Sequence, residues 1–191
     1  IFNGLPLLGV LVVLAVSLLG IAKGKPRLVP AMAPALLGLG MVLTGMVGHL
    51  VSLFGPAQLA GTVFEEGEFI YVSYGALLIG LAAVSYWGPK LWGRVLPSSA
   101  VLGISGLAFL GTVLAALPMY IAGFANQPAG VANDFSYSGP QELWNIASAA
   151  GHALVAVSVL LFVLTALRAF TAGEVAGDDP WDAQSLEWSV S

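Results

Sequence analysis

Two histidines and one short run of carboxylates carry most of the reactive chemistry in this chain. His49 and His152 are its only histidines. Glu65, Glu66 and Glu68 fall within "EEGEFIYVSYG", residues 65–75, at the mouth of a long apolar run. An imidazole can bind a metal or relay a proton. An ionisable side chain at membrane depth is a functional-site hypothesis by default. A neutral histidine held by one hydrogen bond in a packed bundle is the competing and more routine reading. His152 falls about nine residues into its apolar segment, roughly 13 Å deep at 1.5 Å per residue. His49 lies near the end of its own segment. Such different depths argue against a shared metal. Glu68 and His49 are expected at similar depth. They could form a hydrogen-bonded pair, but two separately solvated interfacial groups are the expectation. Glu65 and Glu66 are expected to face water or a basic patch on a partner. Asn126 and Gln127 could hydrogen-bond a neighbour. Asp178, Asp179 and Asp182 flank Trp181. They could suggest a cation site, and a solvated acidic tail is the expectation.

Other chemistries are excluded by residue type. No cysteine is present, which removes disulfides, thiolate metal sites and iron–sulfur clusters. No nucleophile–base set, phosphate loop or metal-spacing motif occurs. The net charge of -4 implies no nucleic-acid partner.

The elements that must position these residues are membrane helices. The chain has 191 residues, 58% hydrophobic and 8% charged, with mean hydropathy +0.93. Globular domains carry about 25% charged residues. A chain with so few cannot cover a soluble surface. Five apolar segments approach the roughly 20 residues that a spanning helix needs: 5–22, 32–54, 69–87, 100–124 and 143–170. The connectors are rich in glycine, proline and polar residues. The longest of them, "ANQPAGVANDFSYSGPQE", is expected to be functional or interfacial. The chain begins with Ile1 at the edge of an apolar run. That suggests a fragment, a processed product or a truncated start, and no signal-peptide pattern is present.

The cations orient the spans. Lys23, Lys25 and Arg27 lie in the first connector, Lys90 and Arg94 in the third, and Arg168 at the end of the last span. With five spans these places share one side, which the positive-inside rule makes cytoplasmic. Glu65, Glu66, Glu68, Asp134 and Glu142 fall on the other side, where a carboxylate at the interface is cheap. The expected fold is an all-α integral membrane protein of five transmembrane helices, N-terminus outside and C-terminus cytoplasmic. Residues 1–170 would form the transmembrane domain and residues 171–191 an acidic cytoplasmic tail. "GLGMVLTGMVG" and "GISGLAFLG" offer small residues for close helix packing. Pro118 is expected to kink the fourth span. Tyr71, Tyr74, Tyr86, Trp87, Trp92 and Trp144 read as an interfacial belt.

Several segments together resemble a known family. "YVSYGALLIGLAAVSYWGPKLWGR" resembles the tenth helix of cytochrome c oxidase subunit I, of the heme–copper oxidase family, with its following loop. "LPMYIAGFANQP" resembles the end of the eleventh helix, and "LWNIASAAGHALVAVSVLLFVLTAL" the twelfth. "DDPWDAQSLEW" resembles the C-terminal signature. "PAMAPALLGLGMVLTG" fits the ninth helix more loosely, and the first span fits the eighth by position only. The resemblance implies the last five helices of that subunit, which begin outside and end in a cytoplasmic tail.

The resemblance fails at the family's ligands. There the tenth helix opens with His-Phe-His-Tyr-Val, two histidines about 200° apart around a helix, each holding a different heme. Here the frame reads Glu68-Phe69-Ile70-Tyr71-Val72. Isoleucine cannot ligate iron, and a carboxylate is a poor substitute for an axial imidazole. The family's His-Asp pair near a magnesium aligns with Ala60 and Gly61. Its propionate-clamping arginines align with "ANQPAG", and its eighth-helix lysine has no counterpart. The expected function follows: a cofactor-free, subunit I-like protein acting as a structural or accessory component of a respiratory terminal oxidase or supercomplex. Heme and copper would reside in a partner subunit. The partners would be membrane lipids and other oxidase subunits, in a bacterial or archaeal cytoplasmic membrane. The alternative is the catalytic C-terminal part of a split or divergent oxidase, using Glu68 or His152 unconventionally. A transport role would need buried charge in the spans, and they hold almost none.

Overall fold

A computed structural model describes residues 5–24, 29–130, 139–183 and 186–188. Lys25, Arg27 and Asp134 lie outside the described residues. The described residues form five α-helices: α1 (Leu5–Lys23), α2 (Met32–Ser52), α3 (Phe64–Trp92), α4 (Ser98–Phe124) and α5 (Gln141–Ala172). The last four are long and apolar enough to cross a membrane. The described apolar part of α1, Leu8–Lys23, is shorter. Its described side chains are nearly all exposed, Leu14 being buried. Two short strands, β1 (Arg94–Val95) and β2 (Glu174–Val175), pair antiparallel.

Helix α3 starts earlier and ends later than hydropathy implies. Thr62 explains the start. Its hydroxyl donates to Leu59 O at 2.7 Å and accepts from Phe64 N–H at 3.3 Å, which satisfies a free donor of the first turn. Glu65 and Glu66 then lie in that turn, where the helix dipole favours anions. At the other end "GPKLW" continues the helix rather than forming a connector. It stops at Gly93, whose φ of 73° suits glycine and whose N–H donates to Pro89 O at 2.8 Å.

Helices α2 to α5 pack as consecutive antiparallel neighbours. The crossings are set by glycines. A Cβ on Gly38 would stand 2.5 Å from Gly75 O, and one on Gly75 2.7 Å from Gly38 O, so α2 and α3 touch backbone to backbone. On α4 and α5, a Cβ on Gly151 would collide with the Ala115 backbone, and Gly111 faces Val155. Gly40, Gly103 and Gly106, which share the same small-residue segments, meet nothing. Small residues allow close approach, but only some of them are used. Buried hydroxyls return to their own helices: Ser85 to Leu81 O, Ser105 to Val101 O, Thr112 to Ala108 O and Ser158 to Leu154 O. Each polar group is thereby satisfied inside an apolar bundle.

One end of the bundle is acidic; the other is basic at its helix ends and also receives the tail carboxylates Glu174, Asp178, Asp179 and Asp182. At the acidic end two connectors are clipped together. Val63 N–H donates to Gln127 O at 3.0 Å and Ala129 N–H to Gly61 O at 2.9 Å. At the basic end the tail folds back. The Arg94 guanidinium donates to Gly173 O. Trp181 Nε1 donates to Tyr86 O, and Trp188 Nε1 donates to the Tyr86 hydroxyl, both at 2.9 Å. Trp188 is buried and Lys90 lies 5.7 Å from its ring centre. The tail is therefore not simply a solvated acidic extension. Its two tryptophans, Trp181 half-buried and Trp188 buried, pack against α3 and leave Asp178 and Asp182 exposed.

Candidate functional site

The two histidines are each tied to α3, on different faces. His49 Nδ1 lies 3.1 Å from Glu68 Oε2. Two separately solvated groups were the expectation, and the structure corrects it. The cause is the early start of α3. Glu68 sits in the second turn, directed between α2 and α4, instead of opening the helix at the water boundary. Its side chain is only 11% exposed, against 41% for His49. Glu68 Oε1 is buried and has no hydrogen-bond partner among the described residues. Tyr120 of α4 closes the site. It stacks on Phe64 at 4.3 Å and lies 5.4 Å from Tyr71. Its hydroxyl donates to Thr44 O at 3.4 Å. It fits a notch made by Gly48 and Gly67, where any Cβ would strike its ring or hydroxyl. An open cleft of about 330 Å³ runs beside the pair, lined by Gly45, Met46, His49, Glu65, Glu68, Phe69 and Val72.

His152 is placed differently. The Tyr74 hydroxyl stands 2.6 Å from His152 Nδ1, with the rings edge to face at 5.6 Å. Tyr74 therefore does more than join an interfacial belt. The pair forms the floor of a second open cleft of about 480 Å³, whose walls include Glu65, Glu66, Phe69, Ile70 and Ala129. Glu65 and Phe69 belong to both clefts and form the ridge between them.

Gln127 and Asn126 act structurally. Gln127 is buried and exchanges two hydrogen bonds with Asn145, both 3.0 Å. Asn145 also donates to Gln141 O at 2.8 Å, which ties the long connector to the first turn of α5. Asn126 is exposed and holds a left-handed turn, φ 59°, a conformation asparagine tolerates. Tyr74, Tyr120 and Asn145 were missed from sequence. Tyr74 falls five residues inside its apolar segment and Tyr120 four from the end of its own, so neither position gave a signal.

Neither position that the resemblance gives to a heme ligand suits one. Ile70 ends in hydrocarbon and packs against the buried clusters around Met41, Tyr71 and Met119. One oxygen of the Glu68 carboxylate is taken by His49, and the side chain lies against the Tyr120 notch at Gly48. Among the described residues, no three His, Asp or Glu side chains assemble as a metal set.

No protein-family profile matches the chain. Curated proteins do. It is 30% identical over 171 residues to cytochrome c oxidase subunit 1 of Thermostichus vulcanus, covering 88% of this chain and 30% of that protein. It is 31% identical over 153 residues to the subunit of the same name from Bacillus subtilis (strain 168), covering 78% and 24%. A heme-copper oxidase subunit I+III of Aeropyrum pernix matches at 28% over 173 residues, covering 86% and 20%. The chain thus spans between a fifth and a third of the length of these relatives. It is a membrane protein that resembles the C-terminal half of cytochrome c oxidase subunit I, of the heme–copper oxidase family.

Proposed function

We propose that this chain is a heme-free, subunit I-like membrane protein, a structural or accessory component of a respiratory terminal oxidase or supercomplex. The observation that carries this reading is the pairing of Glu68 with His49 while the half-buried Ile70 offers only hydrocarbon packed against the core clusters, at the two places where the resemblance calls for heme-binding imidazoles. The residues hold helices together there, and the donor set for iron is missing. Heme and copper belong to a partner subunit. The acidic end faces outward, with the N-terminus outside. Residues 1–170 form the transmembrane domain. Residues 171–191 form a cytoplasmic tail, whose Trp181 and Trp188 bond to Tyr86 of α3. The membrane is the cytoplasmic membrane of a bacterium or archaeon. Large apolar side chains on every helix, such as Leu50, Phe69, Leu110 and Leu164, are exposed and call for lipids and partner helices.

The test is a native purification through a tag on this chain, followed by separation of the subunits under conditions that retain heme. Heme migrating with another polypeptide supports the reading, and heme migrating with this chain refutes it. A second reading, the catalytic part of a split or divergent oxidase, draws on the Tyr74–His152 pair at the floor of an open cleft. It requires heme on this chain and loss of the bound heme's spectrum on replacing His152 or Glu68.

A further inference from the structure

The acidic end of the bundle is short of positive charge. Residues 53–74 and 120–150 hold Glu65, Glu66, Glu68, Asp134 and Glu142 and no lysine or arginine. The described cations, Lys23, Lys90, Arg94 and Arg168, all belong to helix ends or connectors of the opposite end. Within this field Glu68 is buried, and one of its oxygens is unpartnered among the described residues. Removing a carboxylate from water costs several kcal/mol unless charge and hydrogen bonds compensate it. Among the described residues His49 is the one titratable group bonded to it, and it supplies at most one positive charge. Glu65, one turn before Glu68 on the same helix face, adds a like charge to the same cleft. Two acids and one histidine thus line a cleft of about 330 Å³, open between α2 and α3, with apolar walls from Met46, Phe69 and Val72. Phe69 is 73% exposed at its rim.

From this charge deficit we infer that the α2–α3 cleft docks a transmembrane helix of another chain, which places a lysine or arginine between Glu65 and Glu68. The inference rests on the accessory-subunit reading and adds the chemistry of the partner. A second copy of this chain does not fit, because it presents acid to acid at this end. The aliphatic stem of a lysine or arginine suits the apolar walls, and its charged head suits the two carboxylates. The helix carrying it would cover Phe69 and Val72, both now exposed.

The test uses the complex purified from native membranes. A photoreactive phenylalanine analogue is placed at Phe69, and the cross-linked peptide is sequenced. The inference requires an adduct on a membrane helix of a different chain with a lysine or arginine within about four residues, one helical turn. An adduct on a helix without a basic residue, on lipid alone, or on a second copy overturns it. In parallel, Glu65→Gln and the pair Glu65→Gln/Glu68→Gln are compared with Glu174→Gln at the basic end. Retention of the cross-linked partner in detergent should fall roughly 30-fold or more in the double variant. Glu174→Gln should leave retention unchanged. Should Glu68→Gln impair folding, the exposed Glu65→Gln variant reads the same contact on a folded chain, and unchanged retention there overturns the inference. Heme found on this chain would refute the accessory reading and leave the cross-link result standing, so the two failures are separable.

Discussion

His49 of α2 and Glu68 of α3 meet 3.1 Å apart, beside the notch at Gly48 and Gly67 that the Tyr120 ring of α4 fills. This is a three-helix junction made from one carboxylate, one imidazole and one phenol. Its first consequence is energetic. In a double-mutant cycle of His49→Ala and Glu68→Ala, the coupling should be about 0.5–2 kcal/mol, the range for polar pairs inside proteins and membranes. Reversible unfolding of the chain in detergent or bicelles measures it. Additive effects would mean that the pair does not join α2 to α3.

The glycine crossings should separate sharply from the idle glycines. Gly151→Ala pushes a methyl group into the Ala115 backbone, which cannot rotate away. Overpacking of this kind costs about 1–3 kcal/mol. Gly103→Ala meets open space and should be neutral or stabilising by up to about 1 kcal/mol through helix propensity. Thermal melts of the two variants side by side decide the point.

The tail makes a third test. Tyr86→Phe removes the acceptor for Trp188 Nε1, and Trp188→Ala removes the buried ring itself. A lost hydrogen bond costs about 1 kcal/mol and a buried tryptophan about 3–5 kcal/mol. Limited proteolysis within the tail should therefore rise modestly in the first variant and steeply in the second. Equal cleavage of wild type and both variants would show that the tail is not docked.

Much of this fold was legible in the sequence. Five apolar segments correspond to five described helices, four of them long and apolar enough to cross a membrane, and the cations marked one end of the bundle. Hydropathy placed the start of α3 too late, because the polar run Glu65–Glu68 resembles a connector. Thr62 and the clip to Gln127 make it helix instead. That error is why Glu68 was expected in water. The Tyr74–His152 pair spans 78 residues, and Trp188 reaches Tyr86 across 102. Helices that are apolar on all sides carry no amphipathic stripe to say which faces meet. The same limit hid which glycines are used. Gly38 and Gly40 differ in role, although sequence alone treats them alike.

Tyr74 supplies a further check. Tyr74→Phe removes the partner of His152 Nδ1 while keeping the edge-to-face ring contact. Membrane hydrogen bonds average about 0.6 kcal/mol, so the loss of stability should stay below about 2 kcal/mol. A much larger loss would indicate that His152 does more than brace α5 against α3.

The most direct measurement is a visible absorption spectrum with a pyridine hemochrome assay on the isolated chain, separated from its partners. With hydrocarbon at Ile70 and Glu68 held by His49, the chain should carry no stoichiometric heme. One heme per chain would contradict the account and return Glu68, His49 and His152 to the role of ligands.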